Sequence, residues 1–319
     1  MLPEKKTISP RKMSPLADVA HEVRKNKVLF LMFLPAFVIT FIFSYIPMGG
    51  AIVAFKEYNY SQGILGSPWV GLENFRYFAS SGKMWELTRN TLAYNIMFLL
   101  SDVVVQMFMA IIIHEMATKI YKRTLQSVMM LPHFLSWVII GGMAYNLLNY
   151  EFGTINSILS SLGLERMDVY NNPGAWKYIF LGVRIWFGTG YGMIFYLAAI
   201  TGINPELYEA AYLDGCGLMK RIRYVTLPLI LPTASILLLL SLGSILKGNM
   251  DMFYQLIGSN SKLYAATDVI DTYVFRTLMT LKDYSVTSAA GLYQSVIGCA
   301  LVVTVNFIVG RIDPDSAIY

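Results

Sequence analysis

Six long apolar stretches constrain this chain more than any other feature of its sequence. They cover residues 28–50, 91–114, 126–148, 176–200, 224–247 and 289–310. A helix needs about 20 mainly apolar residues to cross the hydrocarbon core of a bilayer, and each stretch is long enough. Because every backbone N–H and C=O that lies in lipid must be paired within its own segment, each stretch is expected to be a helix. The sequence therefore predicts an all-α membrane protein with six transmembrane helices in one domain, residues 28–310.

The composition supports a membrane protein and argues against other classes. Of the 319 residues, 55% are hydrophobic and only 14% are charged, whereas a soluble domain carries about 25% charged residues. This balance argues against a soluble enzyme, a disordered chain and a protein that binds nucleic acid. The two cysteines, Cys216 and Cys299, lie in a polar loop and in an apolar stretch. Neither a disulfide framework nor a metal site is therefore expected.

The distribution of lysine and arginine predicts the orientation of the helices. With the N-terminus inside, the inner segments hold 14 Lys and Arg in 74 residues, and they are 1–27, 115–125, 200–226 and 311–319. The outer segments hold 10 in 108 residues, and they are 51–89, 149–177 and 247–286. Positive residues concentrate on the cytoplasmic side of membrane proteins. Both the N-terminal segment and the C-terminal tail are therefore predicted to be cytoplasmic.

The inner segment between the fourth and fifth stretches encodes a short helix outside the bilayer. Asn204 is a favourable N-cap, and Pro205 suits the first helical position because its missing N–H is not needed there. Gly215 follows where a helix commonly ends on a residue with positive φ. Ala210 and Ala211 leave room for another surface to approach. By itself, this pattern fits an interfacial helix that lies on its own bundle as well as a helix that docks on another protein.

The same segment carries residues at a fixed spacing. It contains Glu209-Ala210-Ala211, then Gly215 after three residues, then Val225-Thr226-Leu227-Pro228 after nine more. This resembles the EAA signature of permease subunits in binding-protein-dependent ABC importers, E-A-A-x3-G-x9-I-x-L-P, from which the chain departs only by Val225 for isoleucine. The stretch Trp69-Val70-Gly71-Leu72-Glu73-Asn74-Phe75 resembles an element of the carbohydrate, maltose-type branch. The resemblance covers essentially the whole chain and is greatest to the subgroup that handles oligosaccharides derived from polysaccharides.

The resemblance implies a type I importer permease fold and a role for each part of the signature. Residues 201–226 would form a coupling loop whose short helix enters a cleft of a cytoplasmic ATPase subunit. The residues implied in this coupling are Glu209, Ala210, Ala211, Gly215, Leu227 and Pro228. Glu209 would offer its charge to the ATPase, the two alanines would permit close packing, and Gly215 would supply the turn. Pro228 would begin the fifth span.

The resemblance also implies the partners. A complete importer would contain a second homologous permease, expected to be a different chain, an ATPase dimer and an extracellular solute-binding protein. It would move oligosaccharides across the bacterial cytoplasmic membrane by alternating access. The chain has no GxxxxGK[ST] phosphate loop, so ATP and Mg²⁺ are expected on the partner ATPase, with no cofactor on this chain. The chain would then be a transport subunit and not an enzyme.

Polar and aromatic residues in or at the ends of the spans are the candidates for a substrate pathway, because charges at membrane depth are costly and usually face a bundle interior or water. They are Arg184, Asp102, Asn146, Asn149, Tyr145 and Tyr191. Arg184 could bind the carboxylate of a uronic acid, and tyrosines could stack on sugar rings. The favoured interpretation is nevertheless structural, an Asp102–Arg184 ion pair inside the bundle. His114-Glu115 is interpreted as a polar helix end.

Two other functions remain as alternatives. An ion-coupled secondary transporter would give Asp102 a role, but it predicts broken helices with ion ligands at the midplane. It also leaves the pattern in residues 201–226 without a function. An intramembrane enzyme would need a nucleophile and base, or a set of metal ligands, within the spans, and the sequence shows no such set.

Overall fold

The computed structural model describes residues 25–312, and this part of the chain is mainly helical. In chain order the α-helices are α1 Lys27–Thr40, α2 Ile46–Met48, α3 Gly63–Gly66, α4 Glu73–Ser80, α5 Lys83–Glu115, α6 Lys119–Met130, α7 Trp137–Leu148, α8 Thr154–Ser161, α9 Trp176–Thr201, α10 Pro205–Leu213, α11 Leu218–Arg221, α12 Leu227–Leu242, α13 Met250–Ile257, α14 Tyr264–Thr267, α15 Ile270–Arg276 and α16 Tyr284–Ile312. Turns of 3-10 helix cover Gly49–Phe55, Leu131–Phe134, Val169–Asn171, Pro173–Ala175 and Ser261–Leu263. Turns of π-helix cover Phe41–Tyr45, Ile222–Thr226 and Thr277–Leu281.

The described residues confirm an all-α architecture built from membrane-spanning helices. Five helical segments are long and apolar enough to cross a bilayer, and they are Lys27–Phe55, Lys83–Glu115, Pro173–Thr201, Leu218–Leu242 and Tyr284–Phe307. A bent pair of helices brings the number of crossings to six if it counts as one span. The predicted cytoplasmic ends, residues 1–27 and 311–319, lie almost entirely outside the described residues.

The third predicted stretch, residues 126–148, is not one straight helix. It divides into α6 and α7, which meet at a bend of 97°, and α6 already begins at Lys119. Pro132 lies in the turn between the two helices, where its ring and its missing N–H interrupt the helical bonding. The Ser136 hydroxyl then caps α7 by accepting a hydrogen bond from the Ile139 N–H at 3.4 Å. The expectation of a continuous third span is therefore corrected to a broken one.

The fifth predicted stretch, residues 224–247, ends early for a different reason. Its helix stops at Leu242, and the chain then turns before α13. Asn95 of α5 donates its amide N–H groups to the carbonyls of Ile245 at 2.6 Å and Lys247 at 3.2 Å. Irregular backbone at membrane depth is tolerated where other protein groups satisfy it, so a side chain from another helix allows this turn.

The part of the chain up to Ile52 forms one compact unit, and its described portion begins at residue 25. Helix α1 has no buried residue, and its large apolar side chains are exposed on all sides. A helix that is apolar all round needs lipid or protein around it. This unit therefore has the surface of a membrane helix.

The second unit, from Val53 onward, packs its long helices around buried clusters of apolar side chains. One cluster includes Tyr94, Phe180 and Phe253 and lies towards the beginning of α5. Another includes Met193 and Ile230 and lies towards the end of α5. Because α5 and α9 both contribute to the two clusters, these helices form the centre against which the broken third span and α12 pack.

Glycine at position 190 allows the broken third span to approach the centre closely. A Cβ atom built there would lie 1.8 Å from the carbonyl oxygen of Met129. No real side chain tolerates such a distance, so the backbone of α6 touches the backbone of α9. Close packing through small residues is typical of helices in membranes.

The Trp69–Phe75 element fastens the segment that follows the first span. The Asn74 amide donates to the carbonyls of Ala54 at 2.9 Å and Lys56 at 3.0 Å. The Trp69 ring stacks on Phe55 with a centroid distance of 5.9 Å, and Lys56 and Trp69 form an antiparallel bridge. Asn74 thus satisfies two backbone carbonyls in the stretch that follows the first span, which gives the Trp69–Phe75 element a structural role.

Candidate functional site

Helix α10 has the limits and the caps that the sequence predicts. The Asn204 side chain accepts the Glu206 N–H at 3.1 Å, and Pro205 is the first helical residue. At the other end Gly215 has φ of 72°. The Cys216 N–H donates to the Ala211 carbonyl at 2.9 Å, and the Gly215 N–H donates to the Tyr212 carbonyl at 3.0 Å. This pair of bonds is a Schellman motif, which closes the helix where a positive φ is required.

One face of α10 is not covered by any of residues 25–312. The helix contains no buried residue, Glu209 and Ala210 are exposed, and Ala211 is half-buried. Leu213 is 85% exposed and Tyr212 is 72% exposed. Large apolar side chains next to small ones, on a short exposed helix, are typical of a contact surface for another protein.

The opposite face of α10 is anchored to the bundle by Tyr208, which the sequence analysis did not single out. The Tyr208 hydroxyl lies 3.0 Å from the hydroxyl of Thr226, which is fully buried. The Tyr208 ring also lies 5.9 Å from the ring of His114, at the end of α5. Beside them, Arg221 Nη2 lies 3.7 Å from Glu115 Oε2. The polar end of α5 thus contacts α10 through Tyr208 and the segment after α10 through Arg221.

Pro228 lies inside the fifth span and does not begin it. The helix runs from Leu218 to Leu242, with a π-helical turn at Ile222–Thr226 where the Leu227 N–H bonds to the Ile222 carbonyl five residues back. Proline has no N–H to offer to the preceding turn, and a π-helical turn directly before it changes the local pairing. Leu227 and Pro228 are therefore part of the helix that continues from residues 201–226. We call residues 201–226 the coupling segment, after the role that the EAA resemblance implies for them.

Asp102 and Arg184 form the ion pair that the sequence analysis favoured. Arg184 donates from Nη2 at 2.7 Å and from Nε at 3.2 Å, and both bonds go to Asp102 Oδ2. The second carboxylate oxygen, Oδ1, is buried and has no hydrogen-bond partner among residues 25–312. Gly188 lies beside that oxygen, since a Cβ there would be 3.7 Å away. The pair therefore keeps one acceptor available.

Two cavities meet at this ion pair, and we call them together the central site. One has a volume of about 240 Å³ and lies towards the beginning of α5; the other has a volume of about 330 Å³ and lies towards its end. Asp102, Arg184, Ser241 and Ser244 line both. The other polar residues, including two tyrosines, line one cavity each, and they are Asn95, Lys247, Asn249, Gln106, Tyr191 and Tyr196.

Several of these polar side chains were missed by sequence reasoning. Ser241 and Ser244 lie three residues apart near the end of the fifth stretch, and this spacing places them on one face of a helix. That periodicity was a usable signal. Asn95 and Gln106 are isolated in the second stretch, and nothing in the sequence distinguishes them from residues that satisfy the backbone of a neighbour.

Tyr191 reaches the central site from α9 and is held by an aromatic contact. Its ring stacks on His133 with a centroid distance of 4.3 Å and an interplanar angle of 8°. His133 lies in the turn that breaks the third span. The broken span thus positions an aromatic side chain of the cavity wall.

Tyr145 and Asn149 do not lie at the central site. They line a separate cavity of about 810 Å³, which we call the outer cavity, and none of its lining residues lines the central site. The Asn149 side-chain oxygen accepts the N–H groups of Glu151 at 2.8 Å and Phe152 at 3.2 Å, so it builds a turn. Asn146 is exposed and lines neither cavity. Five of the six pathway candidates are therefore divided between two cavities, and Asn146 lies at neither.

Two titratable groups outside the spans are shifted by burial. Burial raises the pKa of Tyr170, in the wall of the outer cavity, to about 12, so its hydroxyl stays protonated. Burial also raises the pKa of Asp271, although the Gly248 N–H at 2.5 Å and the Gln294 amide at 2.9 Å oppose this by donating to its carboxylate. Asp271 thereby holds the turn that follows α12.

Residues 25–316 match the family of binding-protein-dependent transport system inner membrane components. Protein LplB of Bacillus subtilis is 33% identical over 294 residues, 92% of each chain. The polygalacturonan/rhamnogalacturonan transport system permease protein YteP of Bacillus subtilis is 32% identical over 282 residues, 88% of this chain and 87% of the relative. A crystal structure of a bacterial ABC transporter involved in the import of the acidic polysaccharide alginate contains a chain that matches with a TM-score of 0.84 and 32% identity, covering 93% of this chain and 99% of that one.

The chain belongs to the family of inner membrane permease subunits of binding-protein-dependent ABC importers. It is therefore a multi-pass component of the cytoplasmic membrane and a transport subunit, not an enzyme. The family assignment leaves no support for the ion-coupled secondary transporter that the sequence had kept as an alternative. It also confirms the type I importer fold that the EAA signature implied.

Proposed function

We propose that this chain forms one half of the membrane channel of an ABC importer and that the imported oligosaccharide carries carboxylate groups. The other half would be a second, homologous permease. A cytoplasmic ATPase dimer would bind ATP and Mg²⁺, and an extracellular binding protein would deliver the sugar. The observation that carries the proposal on the substrate is the charge balance of the central site.

The central site has one positive charge in excess. Among the residues that line this site, Arg184 is neutralised by Asp102 at 2.7 Å, whereas Lys247 forms no close ion pair within the described part of the chain. Its charge interacts at longer range with Asp271, which does not line the central site. An unpaired ammonium group in a cavity that borders lipid favours an anionic ligand. The names of YteP and of the alginate importer agree with this, since both refer to acidic polysaccharides.

Neutral polar groups around the ammonium group suit the rest of a sugar. Ser241 and Ser244 offer hydroxyls, and Asp102 Oδ1 is an acceptor without a partner among the described residues. A buried acceptor that has no hydrogen bond costs about 1–3 kcal/mol. A sugar hydroxyl that donates to Oδ1 would remove this cost, so the ion pair itself becomes part of the binding surface.

The coupling segment supports the proposed link to the ATPase. Its outward face, with Glu209 and Ala210, is free to enter a cleft of another protein, and its inward face is anchored at Thr226 and Glu115. Movement of an ATPase subunit would then be transmitted to α5 and to the fifth span, both of which line the central site. Alternating access of this kind requires rigid elements that move together.

Transport by the assembled complex tests the proposal. The permease, its partner permease, the ATPase and the binding protein are reconstituted in proteoliposomes. Uptake is measured for trisaccharides of galacturonate, mannuronate and guluronate and for their carboxyl-reduced, neutral counterparts. We expect ATP-dependent, vanadate-sensitive uptake of a charged trisaccharide, with its neutral counterpart transported at least tenfold more slowly.

A variant of Lys247 distinguishes binding of the carboxylate at the central site from a general effect of positive charge. Lys247→Met should lower uptake of the charged trisaccharide about tenfold and leave uptake of the neutral one unchanged. Lys177→Met removes an exposed ammonium group that lines none of the cavities described above and should change neither. Equal transport of charged and neutral trisaccharides by the wild-type complex would refute the proposed substrate class.

A further inference from the structure

The outer cavity differs in chemistry from the central site. With about 810 Å³ it falls within the 300–1,000 Å³ that is usual for sites that bind small molecules. Its walls come from the end of α7, the turn that follows it, the 3-10 turn at residues 169–171 and the end of α13. All four segments belong to the outer side by the distribution of positive charges. The cavity therefore lies where a sugar would enter.

Aromatic rings form one wall of the outer cavity. The Tyr145 ring lies 5.7 Å from Phe152 and 5.8 Å from Tyr170, in edge-on contacts that fix its orientation. Tyr145 is nevertheless 48% exposed, and Tyr150 beside it is 46% exposed. Half-exposed rings that their neighbours hold in place offer a ready flat surface for the apolar face of a sugar ring.

Polar groups without partners form the other wall. The side chains of Glu151, Gln255 and Ser259 line the cavity, and none of the three makes a hydrogen bond with another residue in the region 25–312. The backbone N–H of Glu151 is held by Asn149 at 2.8 Å, which places its carboxylate beside the rings. A carboxylate, an amide and a hydroxyl together supply the acceptors and donors that a set of sugar hydroxyls requires.

The residues that line this cavity carry net negative charge, and the cations nearest to it contact the lining without belonging to it, since Lys262 donates to Asn171 Oδ1 at 2.8 Å and Arg166 donates to the Glu151 carbonyl at 3.5 Å. Glu151 is unpaired, and Asp168 adds a second carboxylate whose oxygens accept from the Asn171 backbone N–H at 3.2 Å and its side-chain amide at 2.7 Å. The cavity lining contains neither lysine nor arginine. A uronate would meet like charge here, whereas an uncharged ring would not. The sign of the charge is therefore opposite to that of the central site.

We propose that the outer cavity is a second sugar-binding site, which takes an uncharged sugar ring of the oligosaccharide that the importer moves. The proposal rests on the proposed transport of oligosaccharides, and it divides the recognition of one chain between two sites. The central site binds a charged unit, and the outer cavity binds a neutral unit that follows or precedes it. A substrate of this kind contains both acidic and neutral sugars.

Binding of simple sugars to the assembled transporter tests this site directly. The full complex of both permeases and the ATPase, in lipid nanodiscs without binding protein, is studied by saturation-transfer NMR. The probes are three pairs that differ only in the carboxylate: glucose and glucuronate, galactose and galacturonate, mannose and mannuronate. We expect at least one neutral sugar to give a signal that falls at least fivefold in Tyr145→Ala and less in Tyr145→Phe, which keeps the ring.

Charge specificity is tested with Glu151→Gln, which keeps the shape and removes the charge. It should raise the signal of the uronate relative to its neutral partner at least threefold. Tyr178→Ala and Glu165→Gln are matched controls, because both side chains are exposed on the same side and line none of the cavities described above. Lys247→Met should reduce only the uronate signals, which separates the central site from this one.

The outcomes are distinct from those that test the transport proposal. If the wild-type complex imports charged oligosaccharides but Tyr145→Ala and Glu151→Gln leave every sugar signal unchanged, the outer site is refuted and the proposed function stands. If Tyr145→Ala weakens docking of the binding protein and no sugar signal, the cavity is a protein contact and the proposal is wrong. If the complex imports no sugar at all, the proposed transport function is refuted, and the outer-site proposal that rests on it is refuted as well.

Discussion

The coupling segment and the central site are built in opposite ways. The coupling segment is one continuous stretch in which caps, turn and exposed face all come from neighbours in sequence. The central site draws its residues from α5, α9, α12 and the turn after α12, and its ion pair joins residues 82 positions apart. The first region exposes one face of a short helix, and the second encloses space between helices of this chain.

This difference decides how each region responds to substitution. A local element such as α10 keeps its shape if its own caps are intact, so damage should appear in contacts with partners. In the central site Asp102, Arg184 and Asn95 each depend on a group that lies far away in sequence. Damage there should appear first as loss of stability.

Arg184→Met should have the largest effect because it leaves the Asp102 carboxylate without its partner. Breaking a buried pair on one side costs about 3–5 kcal/mol, and about 2–3 kcal/mol is expected here because Arg184 is 31% exposed. Thermal unfolding of the purified complex measures this loss. The double variant Asp102→Leu/Arg184→Met should recover most of the stability while charged oligosaccharides are still not imported. Equal stability of the single and double variants would show that the pair is not buried in the assembled complex.

Gly215→Val should leave stability almost unchanged and reduce transport about tenfold. A left-handed backbone conformation costs about 1–2 kcal/mol for a residue with a side chain, and Gly215 has φ of 72°, so the end of α10 must rearrange. Uptake and co-purification of the ATPase are measured together. Gly217→Ala is the matched control, since its φ is −66° and the space around it is open. Normal uptake by Gly215→Val would show that the turn at Gly215 is not needed for coupling to the ATPase.

Reversal of the Glu115–Arg221 pair should have a smaller effect, on coupling itself. The 3.7 Å separation suggests a pair worth about 0.5–1 kcal/mol. Glu115→Arg and Arg221→Glu should each raise the ATP hydrolysed per imported sugar two- to fivefold, because α10 is then less firmly tied to α5. The double variant Glu115→Arg/Arg221→Glu should reverse at least half of this increase in the ATP hydrolysed per sugar. A purely structural role would lower the amount of complex and leave the ratio of ATP to sugar unchanged.

Asp271 should make the smallest and the only pH-dependent contribution among these. Burial raises its pKa in the folded protein, so its contribution to stability is fully present below the ordinary pKa and is lost as pH rises through the folded pKa. The difference in Tm between Asp271→Asn and the wild-type complex should therefore shift in favour of the variant from pH 4 to pH 7. A difference that is constant with pH would contradict the shift.

The sequence predicted the structure correctly where residues close together in the chain determine it. The apolar stretches located the membrane helices, and Asn204, Pro205 and Gly215 marked both ends of α10. The sequence did not predict the structure where residues far apart in the chain determine it. The third span is broken at Pro132, the fifth ends early because Asn95 accommodates the turn, and Asn149 proved to build a turn at a different cavity from Arg184.

The chain by itself therefore determined the membrane helices, the limits of α10 and the family, because hydrophobicity, capping and signature spacing are local properties. Only the tertiary structure decided which polar side chains share a cavity and what charge that cavity has. A cavity is formed by helices that are far apart in sequence, and its electrostatics depend on distances of a few ångströms, which no linear pattern records. For this reason the opposite charges of the central site and the outer cavity could be found only after the helices were packed.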